Sequence, residues 1–219
     1  MSYGEYRYKI ITSKNDKIDF DQINEDCEEL TEILKTLEPY VDIFKRRRYD
    51  LELYKDDNTD LHGFVDHKAK RLCVNMNCIS MATHELGHVI DITHSANTEF
   101  RPLIENYKKT YEKMKNEDLV NYSETSSIYE QYIFMNREIF ARLFQQYYLN
   151  NFDVSERFQK IEIDIGEEIA MNMYEQHRTE IEEYFDKQFI NIYTNTARHH
   201  AQVSEQLLEL EQNRSYELF

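Results

Sequence analysis

Aromatic and β-branched residues in the first third of the chain predict short strands. The segments with this composition are residues 6–12, 49–54, 63–66 and 71–75. The last two flank a polar turn at residues 67–70, so we expect them to pair as a β-hairpin. The elements of a small sheet therefore precede the midpoint of the chain.

Helical periodicity dominates the remaining sequence. Apolar residues recur at helical spacing between Asp21 and Leu37, and Pro39 ends that segment. After the hairpin, the pattern predicts helices near residues 78–93, 98–116, 126–150, 154–186 (broken around Gly166) and 195–213. These elements predict an α+β fold with a small N-terminal mixed sheet and a mainly helical C-terminal half. We expect one domain over residues 1–193 and a C-terminal helical extension, residues 194–219, packed on it.

The composition agrees with a helical protein and narrows the choice of partners. The 219 residues include only four Gly and two Pro, so few residues interrupt helices. The formal charge of −16 argues against binding to nucleic-acid phosphates and to anionic membranes, and it favours a basic polypeptide partner. Solubility alone also explains this charge.

Cysteine usage and the chain's N-terminus bear on its location. Three cysteines, an odd number, argue against a disulfide framework and for a reducing compartment. The first residues lack the apolar stretch of a secretory signal, and no apolar run is long enough to span a bilayer. We expect a soluble protein that begins in a cytoplasm; export without a leader would leave no mark in the sequence.

One motif in the predicted helix 78–93 indicates chemistry. Residues 84–88 read His-Glu-Leu-Gly-His, the H-E-x-x-H pattern. On a helix, His84 and His88 project from one face about 6 Å apart, and two imidazoles there can bind one Zn²⁺. Glu85 is offset by about 100° around the helix, where its carboxylate can take a proton from a zinc-bound water. Asp91 lies on the histidine face and can accept the outer N–H of one of these rings.

A catalytic zinc site needs a third protein ligand, and two residues compete for that role. His94 has the spacing of H-E-x-x-H-x-x-G-x-x-H, but Asp91 stands where that pattern has a helix-breaking Gly. On an unbroken helix, His94 points away from the histidine pair. Glu138 lies beside the buried stripe of a strongly amphipathic helix, where an unpaired carboxylate is costly. Binding a metal would relieve that cost, and a salt bridge to Arg142 is the alternative.

Two segments together resemble a known family. Residues 84–91 (His-Glu-Leu-Gly-His-Val-Ile-Asp) and residues 138–141 (Glu-Ile-Phe-Ala) resemble the anthrax lethal factor-like catalytic domain, whose relatives include the clostridial Pro-Pro endopeptidases. The resemblance covers about residues 60–193. It implies a zincin-like metallopeptidase fold with Zn²⁺ bound by the two motif histidines and Glu138. The implied activity is that of a zinc endopeptidase, in which Glu85 activates the attacking water.

The later helix also departs from the family pattern, which reads Glu-Phe-Phe-Ala-Glu. Arg142 replaces the final acid, so the resemblance also allows a catalytically impaired zincin that acts as an acidic protein-binding module. A family tyrosine about two turns before the glutamate steadies the oxyanion. We assign that role to Tyr132, although neither Tyr132 nor Tyr129 falls at the expected offset. A fainter resemblance is to the ImmA/IrrE group, intracellular H-E-x-x-H peptidases that act on phage-type regulators.

The substrate is expected to be a protein or peptide. In zincins generally, an edge strand before the motif helix pairs with the substrate backbone. Residues 71–76 are predicted to be that strand, with Arg71, Cys73 and Asn75 as substrate-binding residues. The negative charge of the chain favours a basic substrate.

Overall fold

A five-stranded mixed sheet and a set of helices make up the α+β fold of the computed structural model. The structure describes residues 2–3, 6–12, 19–37, 49–55, 62–91, 94–117, 127–161 and 163–188. Its strands are β1 (Ser2–Tyr3), β2 (Tyr6–Ile11), β3 (Asp50–Tyr54), β4 (Gly63–Asp66) and β5 (Arg71–Asn75). They lie in the order β1-β2-β3-β5-β4. The three central strands are parallel, and β1 and β4 run antiparallel to their neighbours.

Burial of the strand residues follows their place in the sheet. The central strands β3 and β5 carry buried apolar side chains, namely Leu51, Leu53, Leu72 and Val74. Central parallel strands are covered on both faces, so a nearly continuous apolar composition suits them. Strand β4, at the end of the sheet, is half-buried at all four positions. Its outer edge pairs with no other strand among the described residues.

The described chain also contains seven α-helices, of which α1 lies between β2 and β3 and the others follow β5. They are α1 (Phe20–Thr36), α2 (Ala82–Ile90), α3 (Arg101–Asn116), α4 (Ser127–Ile133), α5 (Asn136–Asn151), α6 (Glu156–Gln159) and α7 (residues 165–188). Two short 3₁₀-helices, Met76–Met81 and His94–Ala96, flank α2. Helix α1 begins after Asp19, whose side chain accepts the N–H of Gln22 at 3.1 Å. Within the described ranges, no helix has both the length and the apolar character needed to cross a membrane.

The structure confirms the predicted α+β fold in its coarse form, a small mixed sheet with helices after it. The hairpin is also confirmed, with a register that runs from Gly63 opposite Val74 to Asp66 opposite Arg71. All described residues lie inside the predicted domain 1–193. The predicted helix 195–213 and the extension 194–219 lie outside the described residues.

Three predicted helices have different boundaries in the structure. The predicted helix 126–150 is divided, because Met135 between α4 and α5 has an extended backbone (φ −65°, ψ 131°). The predicted helix 78–93 starts as a 3₁₀-helix and ends at Ile90. The predicted helix 154–186 is broken close to Gly166, as expected, between α6 and α7. Asp164 begins α7 there, since its side chain accepts the N–H of Glu167 at 2.7 Å.

Helices α2 and α5 approach each other closely at Gly87. Every residue of α2 except His88 is buried. A Cβ atom on Gly87 would lie 2.8 Å from the Cα and 3.2 Å from the Cβ of Ala141 on α5. The absent side chain of Gly87 therefore sets the distance between the helix that carries His84 and His88 and the helix that carries Glu138.

We expect Gly87→Ala to lower the free energy of unfolding. Overpacking of this contact costs about 1–3 kcal/mol, which exceeds the gain of up to about 1 kcal/mol in helix propensity. Urea unfolding measures the change, and a double-mutant cycle with Ala141→Gly should show that the two substitutions are coupled. A Gly87→Ala protein at least as stable as the wild type would contradict the close approach.

Candidate metal centre

Helix α2 directs two histidines to the same point in the interior. His84 and His88 are one turn apart, so their rings meet edge-to-face with centroids separated by 4.8 Å. Their Nε2 atoms lie 3.1 Å apart. His84 is buried, and His88 is slightly more accessible, with 13% of its side chain exposed. The Nε2 atoms of both rings therefore face one small volume.

Glu138, in the first turn of α5, supplies a third donor atom to that volume. Its Oε2 atom lies 3.5 Å from the Nε2 atom of His84 and 3.5 Å from the Nε2 atom of His88. The three donor atoms lie within 4.8 Å of one another, an arrangement that could hold a metal ion. The structure thus brings together the three residues that the sequence nominates as ligands.

The surroundings of the Glu138 carboxylate fit a metal ligand. Its Oε2 atom is buried and accepts no hydrogen bond of normal geometry from the described residues. Burial alone would raise the pKa of this carboxyl, but the two neighbouring histidines outweigh burial and lower the pKa well below its usual range. A buried carboxylate without a hydrogen bond is costly. Two imidazoles and one carboxylate, with a shared focus, are donors that zinc accepts.

Arg142 does not form the alternative salt bridge to Glu138. Its guanidinium is buried and donates to Asp164 at 2.8 and 3.0 Å and to Glu167 at 2.8 Å. The exposed Arg137 is the arginine that approaches Glu138 among the described residues, with its Nε atom 3.7 Å from Oε1. The Oε2 atom that faces the histidines is therefore left to them.

Glu85 lies beside the three donor atoms and is also buried. Burial raises the pKa of its carboxyl to about 7. Its Oε2 atom has no hydrogen-bond partner among the described residues. A Cβ atom on Gly63 of β4 would lie 2.7 Å from the Cγ of Glu85, so only glycine leaves room for this side chain. The carboxyl is therefore held in a buried position that opposes its negative charge.

Of the two candidate tyrosines, Tyr132 is the one that faces the centre. Tyr132 is 36% exposed, and the partial burial of its hydroxyl, together with the neighbouring carboxylates of Glu138 and Glu85, raises the pKa of that hydroxyl above the usual range. The hydroxyl therefore remains a hydrogen-bond donor at neutral pH. Burial and Asp164 raise the pKa of Tyr129, whose hydroxyl is directed towards the start of α7 and away from the histidines.

Asp91 does not take the place that the sequence suggests. Asp91 lies at the C-terminal end of α2, and its Oδ1 atom accepts the N–H of Ser95 at 2.7 Å. The acid that faces the outer nitrogen of His84 is Glu167, whose Oε1 atom is 3.8 Å from Nδ1. The backbone of His94 starts a 3₁₀-helix after α2 has ended, and its side chain lies outside the described part of the chain.

The prediction that residues 71–76 form an edge strand for substrate pairing is wrong. Strand β5 lies between β3 and β4, so both of its edges are already hydrogen-bonded. Arg71 pairs with Asp66 and Glu52, and the thiol of Cys73 contacts Glu52 at 3.5 Å. Asn75 is buried and accepts the N–H of Asn77. Strand β4 is the end strand of the sheet on the side of Glu85.

Sequence reasoning missed Glu167 and Asp164. The only sequence signal for them was Arg142 on the buried side of an amphipathic helix, because a buried guanidinium requires acidic partners. Helical spacing alone does not identify partners that come from a separate helix more than twenty residues later. Only the three-dimensional structure therefore identifies the acid beside His84.

Comparisons of the chain with protein-family models, curated proteins and solved structures found no match.

In the metal-free protein we expect His84 to remain neutral at a pH where His88 is protonated. Burial lowers the pKa of His84 to about 4. Burial also opposes charge on His88, but the Glu138 and Glu85 carboxylates outweigh it and raise that pKa. As the pH falls from neutral, His88 therefore gains its proton first. Imidazole ¹⁵N shifts measured in the presence of a chelator report both states.

A His88→Gln variant assigns the two sets of signals in that titration. Protonation of His84 before His88 would contradict the electrostatic account of the centre.

Proposed function

We propose that this chain is a zinc-dependent endopeptidase with a zincin-like fold. The observation that carries the proposal is the convergence of His84, His88 and Glu138 on one buried volume, with Glu85 beside them. Convergence of these four residues requires both the H-E-x-x-H spacing on α2 and the placement of α5 against it. A chance occurrence of the motif on an unrelated helix does not account for the position of Glu138.

The donor set favours zinc as the metal. His84, His88 and Glu138 would hold the ion, since two imidazoles and a carboxylate match a catalytic site that keeps one position open. Once bound, zinc would polarise the scissile carbonyl and lower the pKa of the attacking water. The orphaned Oε2 atom of Glu138 supports this assignment.

Glu85 would act as the general base. Its carboxylate, buried beside the three donor atoms, would accept a proton from water and return one to the leaving amine. Tyr132 would donate a hydrogen bond from its protonated hydroxyl to the developing oxyanion. These two roles need only groups that already face the centre.

Strand β4 would bind the substrate backbone. It is the end strand of the sheet, and Gly63 on it lies against Glu85. An extended peptide that adds to the outer edge of β4, which pairs with no strand among the described residues, would run past the catalytic carboxylate, a common mode of peptide recognition. The formal charge of −16 favours a basic polypeptide as substrate.

The position of Arg142 weakens the case for an impaired enzyme. Arg142 replaces an acid of the family pattern that the chain resembles, but its guanidinium is neutralised by Asp164 and Glu167. It therefore brings no unpaired positive charge to the centre. The resemblance to lethal factor-like peptidases and the fainter one to the ImmA/IrrE group both remain predictions.

We expect Glu85→Gln to abolish proteolysis while zinc stays bound. The amide keeps the shape of the side chain but cannot take the proton, which lowers kcat/KM by about 10²–10⁴-fold. Cleavage of a peptide library, read by mass spectrometry, measures activity, and zinc content is determined on the same samples. The exposed Glu112→Gln is the matched control and should behave as the wild type.

Two results would decide against this function. Unchanged cleavage by Glu85→Gln would remove Glu85 as the base. A wild-type protein with full zinc occupancy and no cleavage of any library peptide would favour the non-enzymatic alternative, an acidic protein-binding module on a zincin-like scaffold.

A further inference from the structure

Behind His84, on the side away from Glu138, lies an ionic cluster, buried except at Asp164, that the proposed mechanism does not use. It consists of Arg142 from α5 together with Asp164 and Glu167 at the start of α7. Arg142 and Glu167 are almost completely buried, with 3% and 1% of their surface exposed. We call these three residues the Arg142 cluster.

The two ring nitrogens of His84 face different acids. Its Nε2 atom is 3.5 Å from Glu138, within the candidate metal centre, and its Nδ1 atom is 3.8 Å from Oε1 of Glu167. The Nδ1 atom is buried and has no hydrogen-bond partner among the described residues. The oxygen that faces it, Oε1 of Glu167, accepts from Arg142 at 2.8 Å, and a carboxylate oxygen has a second lone pair for a ring N–H.

Several contacts fix Glu167 in this position. The Nη1 atom of Arg142 donates to Glu167 and to Asp164, both at 2.8 Å. The side chain of Asp164 also accepts the backbone N–H of Glu167 at 2.7 Å, which sets the first turn of α7. Both the side chain and the backbone of Glu167 are therefore tied to one guanidinium.

Gly166 is part of the same arrangement. A Cβ atom at this position would lie 2.5 Å from Cζ of Arg142, so a larger residue would displace the guanidinium. The carbonyl of Gly166 accepts the hydroxyl of Tyr107 at 2.9 Å in the interior. The chain passes this close to Arg142 only because residue 166 has no side chain.

We infer that Glu167 is a positioning residue that holds His84 in the tautomer with its proton on Nδ1. An imidazole that donates from Nδ1 presents the lone pair of Nε2, and Nε2 is the atom that faces His88 and Glu138. Arg142 acts one step further out, since it orients Glu167. The expected consequence is a higher affinity for the metal ion, and this consequence rests on the proposed metal centre.

The cluster also gives a physical role to Arg142, which stands where the resembled pattern has an acid. An arginine on α5 cannot accept a histidine N–H, but it attracts a carboxylate from α7 to the place where one is needed. The acid beside His84 therefore comes from a different helix and depends on the pair of Arg142 with Glu167.

Zinc affinity of Glu167→Gln, measured by competition with a chromophoric chelator, tests the inference. The amide preserves side-chain volume and removes the charge, so we expect affinity to fall about tenfold or more. Glu168→Gln, the same change at the next residue of α7, should leave the affinity unchanged. Asp164→Asn removes a charge from the Arg142 cluster without touching His84, so its loss of affinity should be smaller than that of Glu167→Gln.

A purely structural role for Glu167 gives a different pattern. In that case Asp164→Asn would lower zinc affinity at least as much as Glu167→Gln, or Glu167→Gln would lower it by less than tenfold relative to Glu168→Gln. Either result would overturn the inference.

The tautomer of His84 in the metal-free wild-type protein provides a test that needs no variant and no zinc. Imidazole ¹⁵N shifts at neutral pH should place the proton on Nδ1, and a proton on Nε2 would overturn the inference. If the wild type binds no zinc, the proposed function fails, while this measurement still decides the role of Glu167.

Discussion

The meeting of Glu138 with two histidines is the interaction on which the rest of the site depends. It requires α5 to lie almost in backbone contact with α2, and the absence of a side chain at Gly87 permits that approach. A larger distance between these helices would separate the Oε2 atom of Glu138 from both Nε2 atoms. The contact of two small residues, Gly87 and Ala141, thus determines whether the three donor atoms share one focus.

Because the centre is buried, each charged group in it needs a partner of opposite charge or a proton. Glu85, Glu138 and Glu167 are all buried close to His84 or His88, and Arg142 is the one buried arginine beside them within the described residues. Acids in such an interior require cations or protons, because water is not available to solvate them. Arg142 satisfies the acids behind His84. A divalent cation would satisfy Glu138, the acid on the other side of the ring. The Nδ1 atom of His84 therefore faces the Arg142 cluster, and its Nε2 atom faces the candidate metal centre.

The sequence predicted those parts of the fold and site that depend on local spacing. The H-E-x-x-H pattern places His84, Glu85 and His88 on one helix, and the polar turn at residues 67–70 between two β-prone segments predicts the hairpin of β4 and β5. The order of the strands depends on contacts between distant segments, so the prediction of residues 71–76 as the edge strand failed. Glu138 was selected partly by its costly position beside an apolar stripe and partly by family resemblance.

The role of Glu167 could not be predicted from the sequence, and the reason is physical. Its role follows from where α7 begins, which depends on the cap at Asp164 and on the clearance at Gly166. Neither feature has a spacing relative to His84 that a periodic pattern reveals. Asp91 had a favourable spacing, but the end of α2 at Ile90 turned its carboxylate to the N–H of Ser95. Helix ends thus decided which acid lies beside the histidine.

Zinc titration of the metal-free wild-type protein and of Glu138→Gln tests the central claim most directly. The account predicts one zinc ion per wild-type chain, with X-ray absorption showing two imidazoles and a carboxylate oxygen at about 2.0–2.2 Å. Because loss of an outer partner alone costs 10–100-fold, loss of this ligand should weaken binding by more than about 100-fold. A wild-type chain that binds no zinc, or a Glu138→Gln chain that binds it equally well, would contradict the account.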